Sequence, residues 1–109
     1  MKKEDLLRLK DVMALADEKA EEARAEYPND DGGYNLDCVA IEMKGVRKSA
    51  IDEAGLSGYL APTNSRHPRR LYLTSPSSGQ ANLRTEMAEI KAKFIKEAGY
   101  NCYVHYQND

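Results

Sequence analysis

Glu42 and Lys44 put a carboxylate and an ammonium two positions apart at the end of the apolar run Cys38-Val39-Ala40-Ile41. In an extended chain residues two apart project from the same side, so both groups would leave one fixed edge together. A carboxylate in that position can ligate Mg²⁺, with the lysine orienting a water or stabilising charge that develops at phosphorus. Asp31, in the turn upstream, would supply a second metal-binding carboxylate if that turn folds back. A second candidate is the loop Thr74-Ser75-Pro76-Ser77-Ser78-Gly79, where the Ser77 and Ser78 hydroxyls meet the start of a helix, a natural anion site. It lacks the Gly-x-x-x-x-Gly-Lys pattern of a phosphate-binding loop, and helix capping also accounts for it.

The third candidate is basic. Arg66, His67, Arg69 and Arg70 form a cluster that Lys44, Arg47 and Lys48 would join if their loops converge. Arginines beside tyrosines such as Tyr72 or Tyr103 hold a nucleic-acid backbone and stack a base, and they equally suit an acidic protein surface. Metal and nucleophile readings of the cysteines and histidines fare worse. Cys38, Cys102, His67 and His105 show no zinc-ligand spacing, and Cys102 and His105 fall on opposite faces of one strand.

The strand end Glu42-Met43-Lys44 with Asp31 before it resembles the acidic-x-lysine signature of the restriction-endonuclease-like nucleases. Gln80 is similar to a glutamine found downstream in some of those families. The resemblance implies Mg²⁺-dependent phosphodiester hydrolysis. Asp31 and Glu42 would hold the metal, Lys44 would assist the attacking water, and Gln80 with nearby arginines would position phosphate.

The elements that must carry these groups follow from periodicity. Leu6, Leu9, Met13, Ala16, Ala20, Ala23 and Tyr27 alternate by three and four, which predicts a long amphipathic helix over about 4–27. That stripe either faces the chain's own core or forms a homodimer seam. Pro28 to Gly33 ends the helix in a turn. A strand follows from about Leu36 to Met43; apolar on both faces at its centre, it predicts a central place in a sheet. Val46 to Leu56 reads as a short helix, and about 62–70 as a basic loop. The last third predicts a β-loop-α-β unit: Leu71 to Thr74, a helix carrying Leu83, Met87, Ile90, Phe94 and Ala98 and stopped at Gly99, then Tyr100 to Tyr106. Residues 1–109 are therefore expected to form a single α+β domain, order α-β-α-β-α-β, with a small sheet of about three strands.

Charge is partitioned along the chain. Residues 1–31 carry six Lys/Arg against ten Asp/Glu, whereas residues 44–70 carry six against Asp52 and Glu53 alone. Such asymmetry permits local binding of an anion despite a net charge of -2. With no export signal, no apolar run of membrane-spanning length and only two cysteines, the expectation is a cytoplasmic protein with free, buried thiols and no membrane association. The functional expectation is a small non-catalytic accessory or regulatory binding protein, of the kind a phage or mobile element carries as an inhibitor. It would recognise a protein or a nucleic acid through the basic loop and need no cofactor. The Mg²⁺-dependent nuclease is the alternative.

Overall fold

The computed structural model describes residues 1–26, 37–73 and 81–106. Among them four strands, β1 (Cys38–Glu42), β2 (Tyr59–Ala61), β3 (Arg70–Tyr72) and β4 (Cys102–His105), form one sheet in the order β2-β3-β1-β4. Every neighbouring pair is antiparallel. The helices are α1 (Lys3–Glu21), α2 (Lys48–Ala54) and α3 (Ala81–Glu97), and a 3₁₀ segment, Glu22–Glu26, tightens the end of α1. From β1 onward the chain runs β-α-β-β-α-β, a split-βαβ connectivity, with α1 as an addition before it.

This α+β architecture differs from the sequence expectation in the number of strands. The sheet has four strands, because Tyr59–Ala61 pairs with β3. Three residues between Gly58 and Pro62 are too few for a period-two signal to emerge, and the strand exists because β3 offers it an edge. The two strands of the final β-loop-α-β unit lie on either side of β1. Both β3 and β4 are antiparallel to β1 and flank it, which gives β1 the central position its two apolar faces require.

Alternation along the strands sends Val39, Ile41, Met43, Leu71, Leu73 and Cys102 to one face. There they meet Leu6, Leu9, Val12 and Ala16 of α1, Ile51 and Ala54 of α2, and Ala88, Ala92 and Ile95 of α3 in a continuous core. A second cluster, Ala20, Ala23, Leu83 and Met87, joins the end of α1 to the start of α3. The stripe Leu6-Leu9-Met13-Ala16-Ala20-Ala23 is thus buried within the chain, Met13 only partly, which corrects the reading of it as a homodimer seam. Small residues in its second half admit Leu83 and Met87, as alanine at those positions allows. Polar ties fix the helices further: Lys91, buried in α3, lies 3.0 Å from the Asp17 carboxylate, and the Tyr100 hydroxyl donates to the Asp5 carbonyl at 2.7 Å.

Candidate functional site

With α1, α2 and α3 on one face, the other face presents Cys38, Ala40 and Glu42 of β1, Tyr59 and Ala61 of β2, Arg70 and Tyr72 of β3, and Tyr103 and His105 of β4. The register aligns Tyr59, Tyr72, Ala40 and Tyr103 in a single row across all four strands. Tyr59 and Tyr72 lie parallel, with centroids 6.4 Å apart and planes inclined by 8°. Tyr72 meets His105 at 5.0 Å and 50°. Tyr59 is 66% exposed at the edge of the row. Gly58 sets its position: at φ +137° a Cβ there would come within 2.4 Å of the Tyr72 carbonyl oxygen, so the close approach of β2 to β3 requires glycine.

The loop from Pro62 to Arg69 folds back over this face. Asn64 organises it, its side-chain oxygen accepting the amides of Arg66 and His67 at 2.8 Å while its own amide donates to the His67 carbonyl at 2.9 Å. The His67 ring thereby stacks on Tyr103 at 5.6 Å and 22°. The two basic loops do converge. Arg69 donates to the Val46 carbonyl at 2.6 Å, and the Met43 amide donates to the Arg69 carbonyl at 2.7 Å. Arg66, Lys44, Arg47 and Lys48 are exposed around this junction.

Arg70 has a different role. At 8% exposure it donates to the Tyr72 hydroxyl at 2.7 Å and to the Pro62 and Pro68 carbonyls at 3.1 and 3.2 Å, so it braces the loop from beneath. Glu42 stands opposite Arg70 in register, yet the guanidinium goes elsewhere. The Glu42 carboxylate is half-buried and has no hydrogen-bond or ion-pair partner among the described residues. Glu42 and Lys44 line a cleft of about 350 Å³ with Asn64, Ser65, Arg66 and His67, and another of about 300 Å³ with Asp5, Arg8 and Tyr100.

Asp31, Ser77, Ser78 and Gln80 lie outside the described residues. Among the described residues, no group of three or more His, Cys, Asp or Glu side chains converges as a metal site. Cys38 and Cys102 are free thiols on opposite faces, the latter donating to the Ala92 carbonyl at 3.1 Å, and burial pushes both thiols up from their ordinary value. Burial likewise raises the Tyr103 phenol, whose hydroxyl has no hydrogen-bond partner among the described residues. Sequence reasoning missed Tyr59 and His105 as members of a ring cluster. The alternation of Tyr103 and His105 was a usable signal, but the row becomes visible only once register is known. No family model, curated protein or solved structure matches this chain.

Proposed function

We propose that the protein is a non-catalytic binding module for single-stranded nucleic acid, acting in an accessory or regulatory role. The observation that carries the reading is the row of rings on the face opposite α1, α2 and α3, bordered by Lys44, Arg47, Lys48 and Arg66. Bases of a single strand stack on Tyr59, Tyr72 and His105, and the phosphates run past the cationic loops. Each stacked base contributes about 1–3 kcal/mol, and single strands suit such a face because their bases are free to splay. The acidic α1 supports the same orientation, since it packs behind the sheet.

The test is fluorescence anisotropy with labelled single strands and duplexes of about ten nucleotides. Tyr59→Ala removes an exposed ring without touching the core and should weaken single-strand binding about fivefold or more. Arg66→Glu should weaken it across all sequences and flatten its salt dependence between about 50 and about 200 mM. Equal affinity for duplex and single strand, or indifference to Tyr59→Ala, refutes the reading. A second reading, the Mg²⁺-dependent nuclease, is favoured by one observation: Glu42 and Lys44 line the same cleft beside Arg66. It requires metal-dependent cleavage of nucleic acid that Glu42→Ala abolishes.

A further inference from the structure

Resting on that reading, we infer that Glu42 and Lys44 make the face selective for guanine. Glu42 is anomalous in a site for a polyanion. Its carboxylate is half-buried, faces the same side as the ring row, lines the loop cleft and has no partner among the described residues, although Arg70 lies directly across from it. Arg70 is held by Tyr72, Pro62 and Pro68. A carboxylate accepts hydrogen bonds and donates none, and its charge repels phosphate, so its complement in a nucleic acid is a base edge rich in N–H groups.

Guanine alone presents two adjacent donors, N1–H and the N2 amino group, on its Watson–Crick edge, with the O6 acceptor next to them. On adenine and cytosine the amino group neighbours a ring-nitrogen acceptor, and on uracil and thymine N3–H lies between two carbonyls. The Glu42 carboxylate matches the donor pair of guanine, and the Lys44 ammonium, in the same cleft, matches O6. The position fits as well. Glu42 lies two residues along β1 from Ala40, about 6.6 Å from the row on which a neighbouring base stacks. The spacing that suggested a metal site thus has a second use, in which the carboxylate and ammonium read one base edge.

The experiment measures anisotropy of four labelled RNA strands of about ten nucleotides, oligouridine with U, A, C or G at the centre, against the full chain and its Glu42→Gln variant. The wild type should bind the guanine strand about tenfold or more tightly than the others. Replacing that guanine by inosine, which lacks the N2 amino group, should remove much of the preference without altering the protein. Glu42→Gln should bind all four alike, and oligouridine at least as tightly as wild type, because a negative charge has gone. Equal binding of the four strands by wild type overturns the inference while leaving the ring face intact, as does a guanine preference that survives in Glu42→Gln. Failure of every strand to bind overturns the underlying reading as well.

Discussion

Arg66 and Arg70 are the same residue type four positions apart, and their environments separate them completely. Arg70 falls on β3, where its guanidinium is buried against three oxygens, while Arg66 lies in the loop and keeps its charge in water. Sequence could nominate the cluster but not divide it, because burial depends on the pairing of β3 with β1. Glu42 and Lys44 line a common cleft, yet β1 ends at Glu42 and Lys44 falls in the turn after it, so spacing by two along a strand does not by itself account for their meeting. Two substitutions test this scale. Tyr103→Phe deletes a buried hydroxyl that lacks a partner and keeps the ring under His67, so thermal denaturation should show stability unchanged or raised by up to about 1 kcal/mol. Gly58→Ala should cost at least about 1 kcal/mol in urea denaturation, because the new methyl meets the Tyr72 carbonyl at a φ that alanine rarely adopts.

At the scale of elements, the long helices are legible because each repeats its apolar signal over several turns, and the central strand because its short run is apolar on both faces. The α1 stripe is legible at Leu6, Leu9, Ala16, Ala20 and Ala23, while Val12 is buried and Met13 only partly so, and Tyr27 lies outside the described residues; periodicity cannot say whether a stripe faces its own chain or another copy. Long-range packing decides that, and α3 takes it. The alanine half of the stripe is what lets α3 approach, so Ala20→Leu should overpack the junction with Leu83 and Met87. Urea denaturation should show a loss of about 1–3 kcal/mol, with circular dichroism retaining the helical signal. β2 was missed for the converse reason. It has almost no signal of its own and is a strand because Leu71 and Tyr72 hold it.

For the whole molecule, the arrangement separates charge by layer, with the acidic helix on one side of the sheet and the basic loops at the other. No helix among the described residues is long and apolar enough to cross a membrane. Burial also couples stability to alkaline pH. It raises Cys38 and Cys102 above the ordinary thiol value of 9.0, and Tyr100 and Tyr103 above the phenol value of 10.0. The folded chain therefore holds these protons more tightly than the unfolded chain. Their contribution is complete below the ordinary values and is lost as pH rises through the raised ones. The urea midpoint should accordingly begin to fall as pH passes the thiol value of 9.0 and go on falling above the phenol value of 10.0, and single replacement of Cys102 by Ala should make that fall shallower.

The insertion of β1 between β3 and β4 also imposes an order of events on biosynthesis. β1 emerges from the ribosome early, but one of its two edges waits for Cys102–His105, the last strand of the described chain. Until that strand arrives one edge of β1 has no partner strand, and Tyr103 and His105 are missing from the face that carries Tyr59 and Tyr72. Such late closure of distant contacts slows folding and exposes an adhesive edge in the interval. The four-ring cluster of Tyr59, Tyr72, Tyr103 and His105 is thus completed only as the sheet itself is completed.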